Sequence, residues 1–518
     1  MTSATASAVK TNPWLIAFVV SLATFMEVLD TTIVNVSLPH IGGSLSASHE
    51  ESTWILSSYL VSNAIILPLS GWLSMAIGRK KYFMLCIAAF TLASFFCGAA
   101  SGLGMMIVFR LLQGIAGGGL QPTQQAILLD TFPIEKRAQA YALTGITMIV
   151  APVVGPTLGG YITDNFDWRW IFFINIPVGL FALFMVNRAY HDHDRPPPKS
   201  AFSVDYFGLG FLALGIGALQ IVLDKGQQED WFNSSFIIIL SLISALSLLF
   251  SVWWLLRQEN PLVALRLLKL RSFSLACIMI FFMGFVLYSS SILLPLLVQT
   301  QFGYDAMSAG LILSPGALAV IFVMPVVVRM IRRYPPKYLI AFGFFLCSAG
   351  MFYTMNFSPE TNLGTFIAMR IVQVMGLPFL FIPISTMAFM DVPRALNDKA
   401  SALFSLSRNL GGSFGIALIA TYLSRHTQSW QTYLAADISP YGLQLQEALA
   451  QRTAALIAAG ASPAAAAGQA QGMIYHQMQQ QASFLAYGDS FQVMSWIMLL
   501  LVPLALMMPG KVTPTTAH

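Results

Sequence analysis

Apolar runs recur from one end of the chain to the other, separated by short clusters of polar residues, proline and glycine. Each run reaches about 20 residues, enough to cross the hydrocarbon of a bilayer as an α-helix. The runs do not alternate with period two, so a membrane β-barrel is not expected. Breaking the chain at the clusters predicts fourteen spans, at 14–34, 52–76, 82–101, 105–128, 139–162, 169–188, 205–224, 234–255, 273–299, 308–330, 337–356, 364–390, 400–423 and 490–509. The leading MTSATASAVKTNP is short and polar. The run from Trp14 is too long for a signal-peptide core and lacks a small-residue cleavage site, which predicts a retained first helix.

Composition agrees. The chain is 56% hydrophobic and 9% charged, where a soluble domain carries about 25% charge, so the class is an all-α polytopic membrane protein. The 27 Lys and Arg sort by side. With both termini inside, Arg169, Lys225, Arg425 and Arg452 fall outside, and Arg110, Arg370 and Arg408 fall within the membrane. The remaining 20 lie on the inner side, Lys10, Arg195, Lys199 and Lys511 among them, as the positive-inside rule requires. The net charge of +5 therefore reflects topology, and no nucleic-acid partner is expected. The four cysteines (Cys86, Cys97, Cys277, Cys347) lie in apolar runs without CxxC spacing, so neither a metal site nor a disulfide framework is indicated.

FRLLQG (109–114) and MRIVQV (369–374) each place Arg and Gln three residues apart, in spans four and twelve. GPTLGG (155–160) and LGGSFG (410–415) occupy matching places in spans five and thirteen. These pairs align two six-helix halves if spans seven and eight are an insertion, an arrangement that places a substrate site between the halves. The expected organisation is an N-terminal tail (1–13), a first bundle (14–188), a linker with two extra helices (189–272), a second bundle (273–509) containing an outer loop (425–489), and a C-terminal tail (510–518).

Two acids stand in the first span. Glu27 and Asp30 are three residues apart and share a helical face with Thr24 and Thr31. In low dielectric, desolvation and mutual repulsion both favour their protonated forms, the minimum needed for proton coupling. Helix cross-linking through hydrogen bonds is the alternative. Span four carries a polar stripe of Arg110, Gln113, Gly117, Gln121 and Gln124, which holds one face for most of a membrane thickness. A lipid-facing arginine is too costly, so this face should line a cavity or meet the acids of span one. Thr31, Asn35, Gln113, Gln121, Gln124 and Tyr288 are the candidate lining of a substrate cavity.

Span five contains Pro152, Gly155, Pro156, Gly159 and Gly160, a spacing that suits a hinge or a close helix seam. In the second half, Arg370 with Gln373 and Arg408 with Asn409 are buried polar candidates; Arg370 has no acid near it in sequence. GRKK (78–81) is a basic loop that reads as a latch or simply as the positive-inside signal. The stretch 425–489 is rich in Ala and Gln and does not span. AAGASPAAA (458–466) predicts a helix–turn–helix, with Gly460 ending one helix, Ser462 capping the next and Pro463 at its first position. Such a hairpin suits a docking partner; a disordered spacer is the alternative.

LDTTIVNVSLP (29–39), FRLLQGIAGG (109–118), VAPVVGPTLGGYI (150–162) and DWRWIFFINIPVG (167–179) closely resemble motifs of the 14-helix drug:proton antiporter family of the major facilitator superfamily. TWILSSY near Trp54, LQIVLDKG (219–226) and the long loop before the last helix are most similar to EmrB-type multidrug exporters. The resemblance implies the major facilitator fold: two six-helix bundles plus two extra helices, in the inner membrane. It implies export of small amphipathic or hydrophobic compounds in exchange for protons, with no cofactor. A periplasmic adaptor and an outer-membrane channel are the implied partners, and would occupy the 425–489 hairpin. By motif position Asp30 matches the family's first-helix acid, Arg110 its fourth-helix arginine, and Gly155, Pro156, Gly159 and Gly160 its antiporter signature. Glu27 belongs to no matched motif. Met75 stands where the superfamily usually has an acid, which leaves the latch without its expected carboxylate. A narrower exporter (fatty acid, siderophore or other natural product) and a non-transporting sensor are the competing readings. No nucleophile–base pair, metal cluster or phosphate loop suggests an enzyme.

Overall fold

A computed structural model describes residues 12–190, 205–259, 261–437 and 442–509. Most of the N-terminal tail, the linker segment 191–204 and the C-terminal tail lie outside the described residues, and with them Lys10, Arg195, Lys199 and Lys511. Fourteen helices among the described residues are long and apolar enough to span a membrane.

The first six are α1 (Pro13–Ser44), α2 (Trp54–Ile77), α3 (Arg79–Gly98), α4 (Leu103–Thr131), α5 (Ile134–Asn165) and α6 (Trp170–Ala189). α7 (Tyr206–Lys225) and α8 (Ser235–Arg257) follow. The second six are α9 (Arg271–Phe302), α10 (Ala306–Met330), α11 (Pro336–Thr354), α12 (Leu363–Ala388), α13 (Asn397–Asp437) and α15 (Pro463–Leu506), with the non-spanning α14 (Leu443–Ala458) between the last two. Local chemistry sets many of the starts: Asn12 caps α1 ahead of Pro13, Asp305 caps α10 through the Ser308 amide at 2.9 Å, and Asn362 caps α12 through the Thr365 amide at 2.9 Å.

The two halves pack alike. α1 lies on α5 as α9 lies on α13, α2 on α4 as α10 on α12, and α3 on α6 as α11 on α15. The internal repeat seen in the Arg–Gln pairs is therefore a repeat of three-dimensional structure, giving two six-helix bundles. α7 and α8 pair with each other, and α7 leans on both halves. α1 begins and α15 ends on one face of the molecule, called here the terminal face; the opposite one is the hairpin face.

The bundles meet along two seams. α5 and α10 touch from Gly145, packed on Met324 and Phe381 near the terminal face, to Thr157, bonded to Ser314 at 3.0 Å near the hairpin face. α2 and α13 touch at the terminal face. There a Cβ on Gly71 would stand 2.8 Å from the Asp398 carbonyl oxygen, and Arg79 joins Asp398 and Asp130.

The expected boundaries shift most at the end of the chain. α13 runs 41 residues and α15 runs 44, about 60–65 Å each and twice the ~30 Å hydrocarbon. The described part of 425–489 is thus mainly the continuation of these two helices beyond the membrane, not a separate hairpin. Ala and Gln are good helix formers, so the helix continues where the apolar character of the bilayer segment stops. The turn itself is as expected: Gly460 adopts φ +99°, and Ser462 caps α15 with Pro463 at its first position. α14 folds back on α15, where Arg452 donates to Gln477, and Asp489 receives Trp430 Nε1 of α13 at 2.7 Å.

Candidate functional site

The centre of the first half holds two acids in two different settings. Asp30, 1% exposed, accepts Arg110 Nη1 at 2.7 Å, Gln113 Nε2 at 3.0 Å and Asn175 Nδ2 at 2.7 Å. Arg110, with no exposed surface, also donates from Nε to the Ile55 carbonyl at 3.1 Å and from Nη1 to Gln113 Oε1 at 2.8 Å. Helices α1, α2, α4 and α6 therefore converge on one ion pair. The stripe on α4 is turned toward α1, as the spacing predicted.

Glu27, one turn earlier on α1, meets only neutral donors. Tyr59 Oη donates at 3.0 Å, Asn63 Nδ2 at 3.3 Å and Gln121 Nε2 at 2.6 Å. Gln121 Oε1 in turn accepts Arg408 Nη2 from α13, so Glu27 reaches the second half through one amide. Tyr59 joins the two settings: its ring lies 4.3 Å from Arg110 Cζ while its hydroxyl holds Glu27. Gly117 keeps this junction open, since a Cβ there would stand 2.7 Å from Tyr59 Oη.

The other candidates distribute as follows. Gln124 is buried against Ser21 and Thr144, away from both acids, and Gln113 belongs to the ion pair, so neither lines open space. Thr31 is partly exposed and bonds back to the Glu27 carbonyl; Asn35 is exposed one turn further. Tyr288 packs on Gly412, one turn beyond Arg408, and Asn409 lies beside the Arg408 guanidinium at 3.5 Å. Gly155 and Gly159 form a seam with α1, where a Cβ on Gly155 would stand 2.0 Å from Thr32 Oγ1 and one on Gly159 3.1 Å from the Ile33 carbonyl. Pro152 and Pro156 lie inside α5, and Gly160 is buried beside them.

Arg370 repeats Arg110 with one change. Both bond a glutamine three residues on, and both reach a residue 80 positions back, which is Asp30 for Arg110 and Ser290 for Arg370, at 3.1 Å. Ser291 supplies a second hydroxyl at 3.0 Å. The second half thus has the arginine clamp with serine in the carboxylate's place.

Between α9, α13 and α15 a cavity of about 510 Å³ opens near the hairpin face. Its walls include Leu293, Ile416, Ile419 and Leu423, its rim Gln428 and Gln431, and among the described residues no charged side chain lines it. The cavity is half open, with apolar walls and a polar rim.

Tyr59, Asn63 and Asn175 complete the polar centre, and Asp398 holds Arg79 at the terminal face; none of the four was among the expected site residues. Tyr59 and Asn175 stand in the quoted stretches TWILSSY and DWRWIFFINIPVG, where a polar residue within an apolar run was the available signal.

Residues 20–416 match the family model described as Major Facilitator Superfamily. The chain is similar to the multidrug export protein EmrB of Escherichia coli K12, at 34% identity over 95% of this chain and 94% of that protein. It is also similar to the fatty acid resistance protein FarB of Neisseria gonorrhoeae, at 35% identity over 93% of each. Among solved structures it resembles the human organic anion transporter MFSD10 with a TM-score of 0.58 at 13% identity, covering 94% of this chain and all of that one; this similarity concerns the fold.

Proposed function

The chain belongs to the major facilitator superfamily as a multi-pass inner-membrane transport protein, and on that premise we propose that it exports amphipathic or hydrophobic toxic compounds in exchange for protons. The observation that carries the reading is the unequal treatment of the two buried acids. Protonating Asp30 would strand Arg110 without a counter-ion, and breaking a buried pair from one side costs about 3–5 kcal/mol. Protonating Glu27 breaks no direct ion pair, because the nearest cation of the second half, Arg408, reaches it only through Gln121. Its donors from α2 and α4 are neutral, Asp30 one turn away is already paired, and Arg408 from the second half faces it across Gln121.

Glu27 is therefore the exchangeable proton site in this account, and Asp30–Arg110 is the fixed charge that positions Tyr59 against it. This reverses the weight that motif position alone gives to Asp30. Because Gln121 bonds both Glu27 and Arg408, the protonation state of the first half is felt by α13 of the second. A proton moving inward supplies about 2.3 kcal/mol per 100 mV, enough to drive a neutral compound outward against a gradient.

With the basic termini and loops inside, the terminal face is cytoplasmic and the hairpin face periplasmic. The helical extensions of α13 and α15, with α14, then project toward a periplasmic adaptor protein and, through it, an outer-membrane channel; their exposed Leu443, Ile457 and Met473 suit such a contact. A narrower fatty-acid exporter is the second reading, favoured by the similarity to FarB and by the uncharged cavity.

The test is addition of amphipathic compounds to everted vesicles holding a preformed pH gradient. Dissipation of the gradient by the wild-type chain, saturating with compound, is expected. No dissipation by any amphipath, with the protein present and folded, would overturn the reading.

A further inference from the structure

α7 lies against both α2 and α13, the helices of the second seam. Near the terminal face α2 and α13 touch directly at Gly71 and Asp398. Toward the hairpin face α7 makes polar contacts with both. On the first-half side it is packed as well as bonded: Gly217 lies against Ile65 and Val61, Asp224 accepts Ser57 Oγ, and Lys225 donates to Thr53 Oγ1 with its Nζ 4.9 Å from the Trp54 ring. On the second-half side two single hydrogen bonds reach α13, from Ser413 Oγ to Gln220 at 3.0 Å and from Trp231 Nε1, just past the end of α7, to Thr421 at 2.9 Å.

We infer that α7 is carried by the first half through the transport cycle, and that Gln220 and Trp231 are positioning residues whose bonds to Ser413 and Thr421 form and break as the halves rock. The inference rests on the proposed transport function. Its physical basis is the asymmetry of the two attachments. Gln220 is 4% exposed and Lys225 5%, so their polar ends are held away from lipid. On the α2 side the partners are set in a packed helix face around two part-buried bonds that each involve a charged group, and parting them would expose a charge to hydrocarbon. On the α13 side two neutral bonds can exchange for others at low cost. α7 thereby walls the opening seam against lipid in this state while leaving the second half free to move.

Two pairs of cysteines, read in proteoliposomes, distinguish the attachments. All four native cysteines are free and buried, so they do not compete for a short bifunctional thiol reagent. Linking Gln220→Cys to Ser413→Cys should stop exchange, with recovery when the link is reduced. Linking Ser57→Cys to Asp224→Cys should leave at least about half the exchange. Normal transport by the 220–413 link, or an equal block by the 57–224 link, overturns the inference. If either cysteine pair fails to fold, Gln220→Ala and Trp231→Phe decide instead. Each should change kcat by about threefold or more with KM nearly constant, and unchanged kcat in both would overturn it. Wild-type exchange is measured alongside, so loss of transport altogether contradicts the function, whereas intact transport without the asymmetry contradicts only this inference.

Discussion

Arg79 donates to both carboxylate oxygens of Asp398, from Nε at 2.7 Å and from Nη2 at 2.5 Å, and so fastens the start of α3 to the first turn of α13. With Met75 in the expected acid's place, Arg79 meets carboxylates of both halves, Asp130 of α4 and Asp398 of α13. Ser74 donates to the same carboxylate at 3.0 Å, and Asp398 is 4% exposed, so the pair is shielded as well as bidentate.

Breaking this latch should release the terminal face. Asp398→Asn and Arg79→Gln are each expected to lower exchange about tenfold, the equivalent of some 1.4 kcal/mol. The charge-swapped Arg79→Asp/Asp398→Arg double variant should recover part of it. Thiol labelling of a cysteine placed between the halves near Tyr141 and Phe389, whose rings stack at the terminal face, reports the opening directly.

Asp30 and Arg110 behave as one unit in this account. Asp30→Asn or Arg110→Gln alone should lower the melting free energy by about 3–5 kcal/mol, because each leaves a buried charge uncompensated. The double variant should recover much of the stability without recovering transport. Thermal unfolding in detergent separates the two effects.

Gly155 has no room for a side chain. Gly155→Ala would place a methyl 2.0 Å from Thr32 Oγ1 and 2.7 Å from its Cβ, so α5 must move off α1 at a cost of about 1–3 kcal/mol. Gly102→Ala meets nothing within 4 Å and should be silent. Melting curves of both variants, with Gly155→Ala/Thr32→Gly as the relieved pair, check the seam.

Much of this was legible in the chain. Fourteen apolar runs, the Arg–Gln repeat and the α4 stripe follow from periodicity, which membrane burial enforces strictly. Which acid the arginine chooses was not legible, because Glu27 and Asp30 share a face and only the rotation of α4 decides that Arg110 meets Asp30 while Gln121 meets Glu27. The role of Asp398 was hidden in RALNDK, where a charge beside a helix start reads as an ordinary loop or cap. The lengths of α13 and α15 were missed because hydropathy marks the bilayer and says nothing of helix that continues past it.

Removing the projection should divide transport from assembly. Deleting 440–485 is expected to abolish capture of a periplasmic adaptor in pull-down from membranes while leaving exchange in vesicles near the wild-type rate. Equal capture would remove the docking role.

The most direct test of the central claim is proton release on substrate binding to the purified protein in weakly buffered detergent. Wild type should release about one proton per bound compound near the pH at which Glu27 exchanges, Glu27→Gln should bind compound and release none, and a folded Asp30→Asn/Arg110→Gln protein should still release. Release by Glu27→Gln equal to wild type would contradict the assignment of the exchangeable proton to Glu27.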